Sequence, residues 1–585
     1  MSAIRQLPLN GSAPLLATRR LGSAALRRGA VLAPVAALCL VFFVWPLLTV
    51  LLRSLDPAGQ AHLSDLHLSL AHYREALTDA TLRRIIGHTF VIAAWATALT
   101  GVLAFPVAYL ISRLSRRAGM ILLSLVMLQF WVSILVRLFA YTQILGRDGL
   151  INRLASTWGH GPYALLFNTP ATIIGMIVYL LPYMVLILHA GMSGVDHSLL
   201  TAARTLGASP RQAFLRVYLP MVRSSIVTGL LLIFVLSLGF FLTPAVLGGP
   251  RDTTVAIYIQ QQIDLYQWGT ASAIGILLLV VTLIGYVAAV RLGGLAAAAP
   301  TGGASSKGTV TAEPLRFSTM SVALWVSAVL VLAALLLPLL VVVAVSFTDT
   351  SRLVWPPQGF TVHWYADVLQ NPLWTDSIRK SAVVASGVAV ASTSAGLVLA
   401  RTMAALRSAT GRTLLLSAVY APLVVPLILL AIGVYDVQAR LGLLGSTVGL
   451  VLAHTVIALP FAFAILNNAL ANIDSSLEPA AWTLGASRQR AFRRAVLPNI
   501  VPSVVAALLV SFITSWDEPV IALFQTGLDK TLPVTIFTML KSGVTPALAA
   551  VATMMLVLVV LLMVVSALIG SRRAHRQAAG VHDEG

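Results

Sequence analysis

The sequence predicts an all-α polytopic membrane protein of about 12 transmembrane helices, arranged as two parallel six-helix units. Three observations predict it. The 585-residue chain is 58% hydrophobic and only 10% charged, with a mean hydropathy of +0.90. Its apolar residues gather into runs near the length of about 20 that a helix needs to cross a bilayer. And a basic, Gly-centred segment occurs twice, "AARTLGASPRQAFLRVYLP" at 202–220 and "AAWTLGASRQRAFRRAVLP" at 480–498, with the glycines 278 residues apart.

Candidate spans lie near 31–52, 88–112, 119–140, 170–190, 223–247 and 270–291 in the first half. In the second they lie near 319–346, 380–403, 413–434, 446–468, 500–522 and 548–570. Helices are the form expected, because in lipid each span must satisfy its own backbone hydrogen bonds. The first run contains Pro34 and Pro46, lacks a small-residue cleavage site and follows Arg27 and Arg28; it reads as a retained anchor. Its Cys39 is the single cysteine, so no disulfide framework is expected. Between spans six and seven, "GGLAAAAPTGGASSKGTVTAEP" has linker composition. The expected organisation is an N-terminal segment (1–30), a first unit (31–291), a linker (292–317), a second unit (318–570) and a tail (571–585). "LSLAHYREAL" after span one and "FTVHWYADVL" after span seven repeat the pattern outside the membrane, which marks the halves as parallel repeats.

The net charge of +19 is accounted for by topology. Arg19 and Arg20 precede span one; Arg113, Arg116 and Arg117 follow span two; Arg204, Arg211 and Arg216 follow span four. Arg401, Arg407 and Arg412, then Arg488, Arg490, Arg493 and Arg494, and finally Arg572, Arg573 and Arg576 fall on the same side. With both termini cytoplasmic, every cluster obeys the positive-inside rule. The opposite loops mix acids with bases (Asp56, Asp65, Arg74, Glu75, Asp79). No nucleic-acid partner is expected.

Each copy of the repeated segment lies in a cytoplasmic loop between the fourth and fifth spans of its half. Gly207 or Gly485 breaks a first helix by adopting φ > 0. A second, basic, amphipathic helix follows, with Phe214 or Phe492 on its buried side, and Leu219–Pro220 or Leu497–Pro498 ends it. Two angled helices make a knob, and two knobs imply two cytosolic partners or one dimeric partner with two grooves.

The shared residues "AA---LGAS----F---LP" resemble the coupling-loop signature of ABC importer permeases of the binding-protein-dependent, type I kind. The matching residues are Ala202, Ala203, Gly207, Phe214, Leu219 and Pro220, and Ala480, Ala481, Gly485, Phe492, Leu497 and Pro498. The resemblance implies that each loop docks into a groove of a cytosolic ABC ATPase dimer. Thr201 and Pro479 stand where the signature has Glu, although Glu478 is adjacent, and Thr205 and Thr483 replace a frequent acid. The chain lacks a GxxxxGK[ST] loop, so ATP and Mg belong to the ATPase and no cofactor is expected here. The resemblance further implies a periplasmic or lipid-anchored solute-binding protein, and a multi-pass location in the bacterial inner membrane.

"FWVSILVRLFAYTQILGRDGLIN" (130–152), "LGFFLTPAVLGG" (238–249) and "YIQQQIDLYQWGTASAI" (258–274) resemble the first permease subunit of spermidine/putrescine-type importers. "SFTDTSRLVWPPQGFTVHWYADVL" (346–369) and "SFITSWDEPVIALF" (511–524) resemble the second. Two fused subunits are implied, with a small organic cation such as a polyamine as cargo. Relatives of the family also import aminoethylphosphonate, opines and ferric iron.

Asp517 and Glu518 read as lying well inside span eleven, where a charge costs roughly 2.5–3.5 kcal/mol and normally faces a cavity and a partner. At the matching place in the first half stand Gly239 and Phe240. Carboxylates and aromatic faces both attract ammonium groups, and Trp516, Phe241, Trp131 and Tyr435 are the candidate wall. The competing reading has the two acids pairing with an arginine or capping a broken helix before Pro519. Asp436, Asp148 and Asp264 read as solvated near outer helix ends, and Arg137 as snorkelling to the interface. His189 and His454 stand alone in spans, and no cluster has metal-ligand spacing. A gradient-driven transporter leaves the twin loops unexplained. A membrane enzyme lacks a nucleophile–base constellation in sequence.

Overall fold

The computed structural model describes residues 32–57, 59, 68–196, 198–293 and 319–562. The expected N-terminal segment, the linker beyond residue 293 and the tail lie outside the described residues.

The first unit opens with α1 (Leu32–Leu55) and the short helix α2 (Ala71–Thr78). Then α3 (Ala80–Arg113) starts where the Asp79 side chain accepts the backbone N–H groups of Thr81 and Leu82, an N-cap that satisfies two of the orphan donors. A bent pair follows, α4 (Arg116–Phe130) and α5 (Ile134–Thr157), with an angle of 94° between its arms. The remaining elements are α6 (Thr169–Ser193), α7 (Ser198–Thr205), α8 (Pro210–Leu238), α9 (Leu242–Leu247), α10 (Val255–Asp264) and α11 (Trp268–Gly293).

The second unit repeats the order. It runs α12 (Thr319–Val345), α13 (His363–Gln370), α14 (Pro372–Ala405), α15 (Ala409–Leu423), α16 (Leu427–Leu441) and α17 (Thr447–Ala471). After these come α18 (Leu477–Thr483), α19 (Arg488–Trp516), α20 (Val520–Gln525), α21 (Leu532–Ser542) and α22 (Pro546–Leu562). Helices α15 and α16 are bent by 93°.

Among the described residues nine helices are long and apolar enough to cross a membrane, and each bent pair adds one more span. Two expected spans, 119–140 and 413–434, are therefore not straight rods. The first breaks at Trp131–Ser133, where Ser133 turns to an extended ψ and its side chain accepts the N–H of Leu135. The second breaks before Pro426, which also has an extended ψ and lacks the N–H that would continue a helix. The expected spans 223–247 and 500–522 also break, after Leu238 and Trp516.

Within each unit α3, α6 and α8, or α14, α17 and α19, form the tightest bundle. The units also interlock. Helix α1 packs along α16 of the other unit, and α12 packs along α5 and α3. Arg53 on α1 bonds Asp436 on α16 at 2.6 Å, and Arg440 holds the other carboxylate oxygen at 3.0 Å. Asp436 is thus buried and doubly paired, which corrects its reading as a loop-solvated acid. The Arg53 guanidinium also lies 5.1 Å from the Trp268 ring, and that ring stacks on Tyr435 at 5.3 Å.

Candidate functional site

The two repeated loops fold alike. In the first, α7 ends at Thr205 and Gly207 follows with φ +91°; in the second, α18 ends at Thr483 and Gly485 has φ +84°. Between helix and glycine stand Leu206 and Leu484, each 88% exposed. Burying either side chain against a partner is favourable by about 1.5–3 kcal/mol; sequence reasoning passed over both, although each sits beside its glycine in the motif. Ala202 and Ala480 are exposed, and Ala203 and Ala481 half-buried. Ser209 and Gln212 form a capping box at the start of α8, and Ser487 caps α19 through the N–H of Arg490.

Phe214 is half-buried in an aromatic nest with Phe105, Tyr109 and Tyr218. Phe492 is buried beneath the Arg401 guanidinium, 3.8 Å from the ring centroid, and Arg401 reaches Glu478 at 3.8 Å. The expectation that Leu219–Pro220 and Leu497–Pro498 end the second helix is corrected. That helix runs on into the span, because a π-type turn precedes each pair. The N–H of Leu219 bonds the carbonyl of Phe214, and Leu497 bonds Phe492. The wider turn accommodates the proline one residue later, which has no N–H to offer.

At the far end of α19 the helix stops at Trp516, and Asp517, Glu518 and Pro519 form the break before α20. Asp517 crosses between the units. Its carboxylate accepts the Ser133 hydroxyl at 2.5 Å and the Ile134 N–H at 3.1 Å, so an acid of the second unit sits on the N-terminus of α5 in the first. A negative charge there is stabilised by the unpaired N–H groups and the helix dipole. Glu518 is buried and accepts the N–H groups of Val520, Ile521 and Ala522 at 2.8–3.2 Å, capping α20. His454 does not stand alone. Its Nδ1 lies 2.9 Å from the Ser515 hydroxyl and its Nε2 3.3 Å from Glu518. The trio is buried, with Glu518 committed to backbone N–H groups.

Asp517, Trp516 and Trp131 line one small cavity of about 10 Å³, together with Ser133, Val136 and Ile513. That is about the volume of one water. The Trp516 Nε1–H has no partner among the described residues. Other aromatic candidates lie elsewhere: Phe241 packs on Phe537 at 5.9 Å, and Tyr435 belongs to the Arg53 cluster. Phe240 packs on Tyr179 at 5.0 Å, and Tyr179 and Tyr183 continue to Phe130. Gly239, matching Asp517 in the first unit, faces Pro426 at the N-terminus of α16; a Cβ there would sit 3.6 Å from Pro426 Cβ. The two units thus meet through matching contacts, one with a carboxylate and one without. Arg137 does not snorkel. It is 7% exposed, one turn into α5, with its guanidinium 5.0 Å from the Tyr179 ring. Among the described residues no group of three or more His, Cys, Asp and Glu side chains is placed to hold a metal ion.

A family model described as "Binding-protein-dependent transport system inner membrane component" matches residues 100–294 and again 393–575. The chain belongs to this family. The Haemophilus influenzae spermidine/putrescine transport system permease protein PotB is 30% identical over 251 residues, 42% of this chain and 87% of PotB. PotC of the same organism is 31% identical over 247 residues, 42% of this chain and 95% of PotC. This chain thus reads as two permease subunits joined end to end, with a role in transport. A chain from the crystal structure of a bacterial alginate ABC transporter, in complex with a pentasaccharide-bound periplasmic protein, aligns over 47% of this chain and 97% of its own length. It does so with a TM-score of 0.40 and 18% identity.

Proposed function

We propose that this permease is the membrane component of an ATP-driven ABC importer that moves a small amine-bearing solute into the cytoplasm across the bacterial inner membrane. The twin loops carry the proposal: two glycines with positive φ, each beside a leucine that is 88% exposed. Ala202, Ala203, Gly207, Phe214, Leu219 and Pro220, with Ala480, Ala481, Gly485, Phe492, Leu497 and Pro498, form two knobs for a cytosolic ATPase dimer. Both termini are cytoplasmic on this reading, and a solute-binding protein delivers cargo from outside. Closure of the ATPases pushes α8 and α19 through the knobs, because each knob is continuous with its span. The inner ends of the units then close, the outer ends part, and hydrolysis resets them.

The cargo pathway runs past Asp517, Trp516 and Trp131. A carboxylate beside two indole faces attracts an ammonium group, and the PotB and PotC relatives are named for spermidine and putrescine. Putrescine and spermidine are thus the first solutes to try. The test is uptake of each, labelled, in bacteria lacking their own polyamine import, with the permease expressed alongside its ATPase and binding protein. ATP-dependent uptake that Asp517→Asn abolishes supports both class and pathway. Uptake that persists after ATP depletion refutes the ABC reading.

A further inference from the structure

The α4–α5 bend of the first unit is held on both sides by one helix of the second. Helix α12 carries Pro338, buried in its interior. Proline has no N–H, so the carbonyl four residues earlier, that of Ala334, loses its intrahelical donor. Within a bilayer such a group has no water to turn to. Tyr141, two turns into α5, donates its hydroxyl to this carbonyl at 2.7 Å. Gln129, in the last turn of α4, donates its amide to the next carbonyl, that of Leu335, at 3.1 Å. Both side chains are buried. The two donors stand on opposite sides of the break at Trp131–Ser133, yet they reach adjacent residues of α12.

What this bracket encloses is the seat of Asp517. The Ser133 hydroxyl and the Ile134 N–H, which the carboxylate accepts, lie between Gln129 and Tyr141, and Trp131 and Ser133 line the cavity beside it. A tie at one point leaves each arm free to turn about the break. A tie at two points fixes both arms, and with them the direction in which the seat's donors point.

The second unit supplies the comparison. Ser54–Tyr73 and Ser346–Tyr365 make the same hydroxyl contact 292 residues apart, and that spacing matches Pro46 of α1 to Pro338 of α12. The seam at Pro46 is closed differently. Gly433 of α16 lies so near that a Cβ there would stand 2.5 Å from the Pro46 carbonyl oxygen. With α16 aligned on α5 at their first residues, Pro422 and Val434 take the places of Gln129 and Tyr141, and neither side chain can donate. That bend faces Gly239, which offers no carboxylate. Of the two bends, the one bracketed by hydrogen bonds is the one that seats an acid.

We propose that Gln129 and Tyr141 are positioning residues of the transport pathway. By tying both arms of the bend to the α12 carbonyls beside Pro338, they hold the Ser133 hydroxyl and the Ile134 N–H on Asp517. This rests on the permease reading, which makes Asp517 part of the pathway.

The test reads the seat itself, in the full chain in lipid nanodiscs. Labelling serine carbonyls with 13C and isoleucine amides with 15N selects the Ser–Ile peptide groups, which fall at Ile134, Ile226 and Ile378. Ser133→Ala removes the first signal and so assigns it. Hydrogen exchange of the three amides is followed in wild type, Tyr141→Phe, Gln129→Met and the double variant. A net hydrogen bond is worth a factor of roughly 2–10, so each single variant should lower Ile134 protection by that factor. The double variant should lower it at least about tenfold, with Ile226 in α8 and Ile378 in α14 held within about twofold. In a Pro338→Ala background the new N–H serves the Ala334 carbonyl, and Tyr141→Phe should add less than about twofold. Unchanged Ile134 protection in the double variant overturns the proposal. So do equal losses at all three amides, which mark a general stabilising role, and a full Tyr141→Phe effect beside Pro338→Ala. Putrescine and spermidine uptake by the double variant should fall at least about tenfold with the ATPase still bound; normal uptake despite a loosened seat overturns the role in transport. A wild type that imports neither solute, or binds no ATPase, counts against the permease reading, while the exchange result needs no partner or cargo and still decides the tie.

Discussion

Replacing Gly207 and Gly485 separates the shape of the two proposed docking knobs from their chemistry. Each glycine sits at positive φ (+91° and +84°) with no atom within 4 Å of where a Cβ would stand. A substitution there meets no clash with a neighbour, so its cost is entirely that of the backbone. An L-residue in the left-handed region pays about 1–2 kcal/mol, and a β-branched one sits at the upper end. At ~2 kcal/mol the knob conformation becomes about 30-fold less populated than in wild type, enough to unseat a docking surface centred on Leu206 or Leu484. Asparagine visits the same region readily. Gly207→Val and Gly485→Val should therefore lower ATP-dependent uptake at least about tenfold and weaken ATPase co-purification, with the membrane-inserted amount unchanged. Gly207→Asn and Gly485→Asn should stay within about twofold of wild type. Normal uptake by both valine variants refutes the docking role. Asparagine variants as poor as valine ones refute the conformational argument, and point instead to a partner that needs bare backbone at that spot.

Three more outcomes follow from the geometry. Glu518→Ala strips the acceptor from three buried N–H groups of α20 and should cost about 2–4 kcal/mol of stability. Asp517→Asn retains an acceptor for α5, so its loss should appear in uptake more than in thermal unfolding in detergent; equal stability losses would deny the separation. Asp436→Asn leaves Arg53 buried without its counter-charge and should destabilise by about 3 kcal/mol, read from the same unfolding assay, whereas Arg440→Gln, at a half-exposed site, should cost well under 1 kcal/mol. Finally, the Ser476 N–H beside Asp474 holds that exposed carboxylate below its ordinary range. Its folded pKa is depressed, so the turn it stabilises is intact above about pH 4 and loosens as pH falls through the lowered value. Faster amide exchange of Ser476 at pH 3 than its intrinsic rate predicts, and none of that excess at pH 6, is the expected signature.

The loops were legible because everything that shapes them is local: a glycine at a helix end, a capping serine and a proline about three turns after it. Spans were legible for the same reason, since bilayer thickness sets their length. The bends in the third span of each unit were written only faintly, as Ser133 after Trp131 and as Pro426 after two valines. The capping of a broken helix by Glu518 was among the readings the sequence offered, but the polar partnerships between the units were not legible. Arg53 and Asp436 are 383 residues apart and Ser133 and Asp517 384 apart, and each pair meets only because the units interlock. Arg137 read as a snorkelling side chain for a related reason. Its burial follows the 94° bend at the head of α5, whose first turn is buried against the rest of the protein.

The crossing of Asp517 onto α5 also bears on stoichiometry. Gly239 occupies the equivalent seat in the first unit and faces Pro426, which has no N–H to give. A pair made of two first units would set Gly239 against Ser133 and leave the Ser133 hydroxyl and the Ile134 N–H without their carboxylate. A pair of two second units would bring Asp517 against Pro426, a carboxylate with one donor too few. Only the mixed pair satisfies both seams, so fusion into a single polypeptide supplies the two unlike halves in equal number and removes the mismatched pairings from competition.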